Sequence, residues 1–309
     1  MIAVLLAGYA VLVGFGLPHR LSEASWASRA PRLAISTWLA AATSVACAAL
    51  LAAAVLIVPA HVLGDSLVLL VQGCGWSGHG LPALPWTVPR AVGIAAMIGM
   101  TLRLGYAAAR VVGAQRRLRA RHRRDVRLAG RFHPTLDVFV LDHAHPSAFC
   151  LPGRGGTVVL TAGALRTLPP AELAAVIAHE RTHLDRRHHH LLTCAAVLDR
   201  AFPLVPVFGE THRELRRLVE LAADDGATRN CAPQTVARAV LRLAAPPTTS
   251  ALGMGSTAVR QRVQRLLTAR TPLHRSAVVA RALLVAALLL LPAAVLTLPA
   301  LSDAAHHCD

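Results

Sequence analysis

The sequence predicts a multi-pass α-helical membrane protein with four spans and a cytoplasmic α+β module. Hydrophobic residues make up 54% of the 309 residues and charged residues only 16%, with a mean hydropathy of +0.49. A soluble domain would carry about 25% charged residues. Twelve of the 16 acidic residues fall between Asp125 and Asp225. One polar module therefore lies between apolar flanks, and disorder, a collagen fibre and a small disulfide scaffold are excluded.

Four stretches are apolar enough to cross a hydrocarbon core, which needs roughly 20 residues. They cover residues 1–17, 33–58, 88–112 and 277–301. Basic residues follow the first stretch instead of preceding it, which is the wrong order for a secretory signal peptide. We therefore expect a retained anchor whose N-terminus lies outside.

The arginine distribution predicts a single orientation, because basic residues are enriched in cytoplasmic loops. Arginines are dense in 20–32, 116–131 and 260–275, whereas 61–87 and 302–309 contain none. Both termini are thus predicted outside the inner (plasma) membrane. The predicted domains are 1–112 with three membrane helices and an external loop (59–87), 113–275 as the cytoplasmic module, and 276–309 with the fourth helix and an external tail.

Two basic features allow more than one interpretation. The run 116–131 could be a nucleic-acid arm, but beneath a span it is better explained as a topology determinant that also binds anionic lipid headgroups. We therefore expect the lipid bilayer as a partner, and no direct nucleic acid. Arg103 lies inside the third span, where a charge is either functional or snorkels to the surface, and we favour snorkelling.

The cysteines divide by compartment. Cys74 and Cys308 are the only pair predicted outside, so they could form a bridge or remain free thiols. There is no Cys-x-x-Cys pair, which excludes a thiolate zinc finger. Trp76 and Trp86 are expected to be interfacial anchors.

The polar module opens with strand patterns and continues with helices. Residues 135–142 and 157–160 are predicted strands, joined by a turn-rich connection at 146–156. A helix is predicted from Pro169 onward, and we expect it to run unbroken through the histidine tract 188–190. A second helix is predicted over 213–229.

The first of these helices contains the motif His179-Glu180-Arg181-Thr182-His183. Residues four apart share a helix face, so both imidazoles can bind one zinc ion, with one Zn²⁺ per chain expected. Glu180 is placed to take a proton from water as a general base. The alternative interpretation is a histidine-rich solvated helix.

Two patterns compete for the third zinc ligand. In the metzincin pattern a glycine three residues after the second histidine returns a further histidine to the metal, but position 186 is Arg, so we expect His189 to point away. In the other pattern a second helix supplies a glutamate. Glu220 fits, with Asp224 four residues later to accept the N–H of a ligand histidine. Glu214 is the runner-up.

These motifs resemble those of the integral-membrane gluzincin peptidases. HERTH, the E-x-x-x-D helix, PSAFCLPG, TVVLTAGAL and LPPAELAAVIAHE carry the resemblance over most of 132–270. They are most similar to the BlaR/MecR type, the beta-lactam sensor-transducers, and less to the CAAX-prenyl and heat-shock membrane proteases. The resemblance implies that Ala148, Phe149, Pro152 and Gly153 border the substrate cleft. Cys150, within that segment, is interpreted as a small buried residue in preference to a reactive thiol.

The resemblance implies a zinc metalloendopeptidase in signal transduction, whose protein substrate is a cytosolic transcriptional repressor. The sensor-transducers continue into an extracellular penicillin-binding domain, and this chain stops at Asp309, so we expect it not to sense beta-lactams in that way. Membrane-protein quality control and a non-catalytic receptor or scaffold are the alternatives. The stimulus, the cleavage site and the oligomeric state are left open.

Overall fold

A computed structural model describes residues 1–58, 87–153, 155–244, 254–268 and 272–306. The possible Cys74–Cys308 bridge, both predicted anchor tryptophans and most of the external loop lie outside the described residues. The described chain is mostly helical, with one small sheet.

The N-terminal part consists of helices that match the predicted apolar stretches. Among the described residues, four helices are long and apolar enough to cross a membrane: Ile2–Ser22, Pro31–Ile57, Val88–Ala129 and the Arg275–Thr297 part of the last helix. The elements here are α1 (Ile2–Val11), a π-helical turn (Leu12–Gly16), α2 (Leu17–Ser22), α3 (Trp26–Arg29), α4 (Pro31–Ile57) and α5 (Val88–Ala129).

Helix α5 continues well beyond the predicted third span. It carries the basic run out of the apolar region as one helix, and its Arg123 donates a hydrogen bond to the carbonyl of Pro152. Arg103 differs from the snorkelling expectation, because its Nε donates to the carbonyl of Ala201. This charge in an apolar helix therefore has a specific partner at the end of another helix.

The polar module begins with four strands and continues with helices. The strands are β1 (Gly130–His133), β2 (Val138–Leu141), β3 (Ala148–Leu151) and β4 (Thr157–Thr161). The helices are α6 (Ala162–Thr167), α7 (Pro170–Asp185), α8 (His188–Ala201), α9 (Pro206–Ala227), α10 (Pro233–Ala244), α11 (Met254–Leu267) and α12 (Arg275–His306).

The sheet has the order β1-β2-β4-β3, with β2 and β4 parallel and the other two pairs antiparallel. The interpretation of 146–156 as a turn-rich connection is wrong for its middle part. Residues 148–151 pair with β4, and Leu151 is buried with Val159 and Val126. Strand pairing and burial therefore override the local turn signals, and β3 lies at the sheet edge.

The expectation of one unbroken helix through the histidine tract is also wrong. Helix α7 ends at Asp185, and α8 begins at His188. Arg187 between them adopts a left-handed conformation with φ of 50°. That conformation is uncommon for a residue with a Cβ atom and interrupts the helix between α7 and α8.

Two buried clusters hold the module in place. In the first, the sheet packs on α7 and α10 through Val138, Leu160, Val176 and Val236. In the second, α9 packs on the apolar helices instead of the sheet, and its Leu215, Leu218 and Leu221 are buried with Leu21, Ala34 and Trp38. Helix α9 therefore connects the polar module to the apolar helices.

Candidate metal centre

The two histidines of HERTH lie on one face of α7 because they are four residues apart. Their Nε2 atoms are 3.2 Å apart, and both rings are largely buried. The start of this helix is fixed by Glu172, which is buried and pairs with Arg238 and Arg242 of α10. The helix face that bears the histidines is thereby held against its neighbours.

Glu220 of α9 meets both histidines. One carboxylate oxygen lies 3.5 Å from Nε2 of His179, and the other lies 3.5 Å from Nε2 of His183. The ligand atoms of these three residues all lie within 4.8 Å of one another. Glu214, the alternative third ligand, instead pairs with Arg217 at 2.8 Å.

This donor set fits a zinc ion. Zinc prefers two or three imidazole nitrogens with a carboxylate, at bond lengths of about 2.0–2.1 Å in a tetrahedron. The edges of such a tetrahedron are about 3.3–3.4 Å long. The observed separations of 3.2 Å and 3.5 Å match that length.

The approach of α9 to α7 requires a glycine. A Cβ atom at Gly226 would lie 2.1 Å from Oγ1 of Thr182, which is one residue before His183. Real Cβ atoms do not come this close to another atom, so any side chain here would push the helices apart. Gly226 thus allows Glu220 to reach the two histidines.

Asp224 lies behind the ring of His179. It is fully buried, and its Oδ1 is 3.0 Å from Nδ1 of His179. Arg262 of α11 donates from Nε and Nη2 to the two Asp224 oxygens, at 2.8 Å and 2.6 Å. Although burial raises the pKa of Asp224, the hydrogen bonds from Arg262 and His179 outweigh it and lower the pKa to about 2. Asp224 is therefore charged at neutral pH.

Positive charge is favoured between the ligand atoms. Burial raises the pKa of Glu220, but hydrogen bonding and charge from His179, followed by the charge of Arg262, lower it to about 2. Burial likewise opposes a charge on His179, yet Asp224 and Glu220 raise its pKa to about 9. The fully buried carboxylate of Asp224 and the partly exposed carboxylate of Glu220 therefore stabilise positive charge beside His179.

Glu180 points toward β3. Burial raises its pKa, an effect that the charge of His179 opposes. Cys150 of β3 lies against it, and burial together with Glu180 raises the pKa of that thiol to about 12. The thiol is therefore neutral at physiological pH, which fits the interpretation of Cys150 as an unreactive residue.

His188 is a site residue that the sequence analysis did not single out. Only 3% of it is exposed, and its Nδ1 lies 3.0 Å from Nδ1 of His183. The left-handed turn at Arg187 brings it there. His189 does not join the cluster but stacks on the exposed His190, with 4.1 Å between ring centroids. The expectation that His189 points away agrees with this geometry.

The four residues predicted to border the substrate cleft lie in different surroundings. Ala148 packs against the module core, and Phe149 belongs to the cluster behind the sheet. Pro152 and Gly153 instead line a groove of about 500 Å³ together with His189. A smaller cavity of about 130 Å³ is lined by His179, Glu180 and Glu220. Apolar residues of α10 that the sequence analysis missed also line it: Val236, Ala239, Val240 and Leu243.

Comparison with known proteins places the chain in a family. The model of peptidase family M48 matches residues 113–276, more than half of the chain, and the chain belongs to this family. It is 40% identical over 67 residues to a protease HtpX homolog of Dictyoglomus thermophilum, covering 21% of this chain and 22% of the relative. It is 37% identical over 75 residues to a protease HtpX homolog of Acidiphilium cryptum, covering 23% and 26%.

The chain thus spans about a quarter of the length of the curated relatives it matches. No solved structure matches it. The chain is thus a member of the M48 family with helices long and apolar enough to cross a membrane.

Proposed function

We propose that the protein is a membrane-embedded zinc endopeptidase with a cytoplasmic active site. The observation that supports this best is the meeting of His179, His183 and Glu220 at separations suited to one zinc ion. The M48 match covers these residues, and the matched relatives are named as proteases. The four spans, the division at residues 112 and 275, and both termini outside belong to the same proposal and rest on the arginine distribution.

Each residue of the site has a separate role in the proposed peptide hydrolysis. Zinc held by His179, His183 and Glu220 would supply a Lewis acid that polarises the scissile carbonyl and acidifies water. Glu180 accepts the proton of the attacking water and passes it to the leaving amine. The Asp224 carboxylate lies 3.0 Å from Nδ1 of His179 and so favours the ring orientation with Nε2 toward the cluster. Arg262 keeps Asp224 and Glu220 ionised.

Strand β3 offers a position for the substrate backbone. It lies at the sheet edge, and its Cys150 contacts Glu180, so an extended peptide added to this edge passes the general base. A peptide added to an edge strand gains affinity from main-chain hydrogen bonds, and pockets that bind its side chains give specificity. The apolar cavity formed by α10 would then favour a hydrophobic substrate side chain next to the cleaved bond.

The proposed substrate is a cytosolic transcriptional repressor, following the resemblance to the BlaR/MecR sensor-transducers. Cleavage would then transmit a signal from the membrane to gene expression. The alternative, in which the site has no catalytic role and the protein is a receptor or scaffold, predicts that Glu180 is dispensable.

A specific observation favours membrane-protein quality control as a second candidate. Leu218 and Leu221 flank Glu220 and are buried with Leu21 and Ala34, which lie in or next to the arginine-rich segment 20–32. Arg265 also joins Asp225 to the Ser28 carbonyl in that segment. The cluster therefore lies beside the inner surface of the proposed bilayer, within reach of juxtamembrane segments.

Purified Glu180→Gln protein tests the enzyme proposal. We expect it to keep its zinc, and its rate of peptide hydrolysis to fall by about 10²- to 10⁴-fold, because a glutamine amide cannot accept the proton of water. His179→Ala should lose zinc as well. Zinc content and cleavage of a quenched peptide library are the measurements, and full activity of Glu180→Gln, with contaminating proteases excluded, would contradict the proposal.

Sequencing of new protein N-termini separates the two substrate classes. Cells that make the active protein are compared with cells that make Glu180→Gln at equal levels. New termini in a soluble DNA-binding protein would support regulation, whereas new termini in the juxtamembrane segments of many membrane proteins would support quality control.

A further inference from the structure

The link between α8 and α9 packs among the apolar helices. Val207 and Phe208 share a buried cluster with Val13, Val45 and Leu288, which belong to three of the proposed spans. Leu198, Phe202 and Val205 pack against the same cluster. We call residues 198–208 the α8–α9 corner. It belongs to the sequence that the arginine distribution assigns to the cytoplasm.

The contact partners of the corner lie well inside the spans. Counted from the predicted span ends at 17, 277 and 112, Val13 lies four residues inside its span, Leu288 eleven, and Arg103, which binds the Ala201 carbonyl, nine. At the helical rise of 1.5 Å per residue these intervals are roughly 6, 16 and 13 Å. Half of a hydrocarbon core is about 15 Å thick, so contacts on three separate helices place the corner inside it.

The surface of the corner is apolar. Pro203, Leu204 and Pro206 are exposed, and Leu204 is 85% exposed. Residues 191–208 contain only two charged side chains, Asp199 and Arg200. A leucine that projects this far from the protein is unfavourable in water and favourable in hydrocarbon.

The backbone of the corner suits a medium without water, where free N–H groups are very costly. Phe202 donates to the Leu198 carbonyl at 2.9 Å, and Val205 donates to the Phe202 carbonyl at 3.1 Å. Pro203 and Pro206 have no N–H group. Four of the five residues in the turn therefore present no free backbone donor.

The ionisable side chains near the corner, apart from Arg200, are paired, as intramembrane charged groups are. Asp199 and His212 lie 3.0 Å apart, and Arg213 donates to Glu210 at 2.7 Å. Arg103 occupies the carbonyl at the end of α8. Arg200 is exposed, and its long stem allows the guanidinium to reach toward the headgroups.

We infer that the α8–α9 corner is inserted into the hydrocarbon core as a re-entrant hairpin, with lipid acyl chains against Leu204. The catalytic module is then partly an intramembrane structure. The inference rests on the proposed membrane spans. It also means that the helix bearing Glu220 is anchored in the bilayer at its other end.

Three arginine substitutions at exposed leucines test the inference in nanodiscs. Leu204→Arg probes the corner, Leu12→Arg probes the first span next to Val13, and Leu128→Arg probes the cytoplasmic end of α5; these leucines are 85%, 72% and 80% exposed. We expect Leu204→Arg and Leu12→Arg each to lower Tm by roughly 5–15 °C, because the charge enters hydrocarbon. Leu128→Arg should leave Tm unchanged.

The results distinguish a failure of the corner inference from a failure of the proposed spans. A wild-type Tm in Leu204→Arg, with a lowered Tm in Leu12→Arg, would overturn the inference and leave the spans standing. A wild-type Tm in Leu12→Arg would overturn the membrane assignment itself.

Cysteine labelling gives a second measurement that does not depend on stability. In a variant without its native cysteines, Leu204→Cys should resist a membrane-impermeant maleimide in inverted vesicles and react after denaturation. Leu128→Cys should react in both conditions. Equal labelling rates of the two in intact vesicles would overturn the inference.

Discussion

His183 is positioned by a residue outside the motif. If its Nε2 binds the metal, its Nδ1 carries the proton and donates to Nδ1 of His188, 3.0 Å away. Burial, with the neighbouring His183, lowers the pKa of His188 to about 4, so His188 is a neutral acceptor at physiological pH. His179 has Asp224 in the equivalent place. The two ligand rings are thus fixed by different chemistry.

His188→Ala should weaken zinc binding by about 10- to 100-fold, because the ring of His183 loses its partner. His188→Asn should restore much of the affinity, since its amide oxygen can accept the same proton. Competition with a chromogenic chelator measures the affinity, and His190→Ala at the adjacent exposed position is the control. Equal affinities of His188→Ala and His190→Ala would show that His188 has no positioning role.

The pH dependence of hydrolysis should report Glu180. Burial raises its pKa above the ordinary 4.5 of a glutamate, and the base must be charged to accept a proton. Activity is therefore present above this raised pKa and lost as the pH falls through it. We expect the acid limb of kcat/KM to have its midpoint above pH 4.5. Zinc content, measured at each pH, separates loss of the base from loss of metal, and undiminished kcat/KM at pH 4.5 would refute the assignment.

At the scale of elements, the site depends on how closely α7 and α9 pack. The histidines come from one helix and Glu220 from the other, and Gly226 sits where the helices are closest. Helix α11 then holds α9 through Arg262, bound to Asp224 and Glu220. Three helices from separate parts of the chain must therefore dock before the ligand set exists.

Gly226→Ala should separate the ligands. The new methyl group meets Thr182, so the helices must move apart at a cost of about 1–3 kcal/mol, and zinc affinity should fall with the lower stability. Gly209→Ala on the same helix is the control, because its Cβ atom would meet only one atom, at 3.4 Å. Zinc titration and thermal unfolding in parallel measure both effects. Normal zinc binding by Gly226→Ala would contradict the close-packing argument.

At the scale of the whole molecule, α9 spans two environments. Its C-terminal half bears Glu220 and Asp224, and its N-terminal half packs between the apolar helices at Val207 and Phe208. A shift of the apolar helices would therefore move Glu220 relative to α7.

Under the proposed spans, the orientation of the chain in the membrane decides which compartment the site faces.

Reporter fusions test this orientation. Fusions after Arg131 and Arg270 should be active only with a cytoplasmic reporter, and fusions near Gly75 and Asp309 only with an external one, because arginine-rich loops stay inside. Paired alkaline phosphatase and fluorescent protein fusions at each point give the readout. An external signal after Arg131 would exclude a cytosolic repressor as substrate.

The sequence by itself determined the features that depend on local spacing. The four-residue interval of His179 and His183 follows from helix periodicity, and the apolar stretches follow from composition and length. Glu220 and Asp224 could be paired in the same way, because they also lie one turn apart. These features need only the repeat of a helix, which neighbouring residues specify.

The tertiary structure alone decided the features that depend on distant contacts. It brought Glu220 rather than Glu214 to the histidines, broke the helix at Arg187 so that His188 faces His183, and made residues 148–151 a strand. It also placed the α8–α9 corner among the apolar helices. Each of these is set by pairing and burial in the folded chain, and that packing free energy exceeds the weak local preferences that a sequence pattern records.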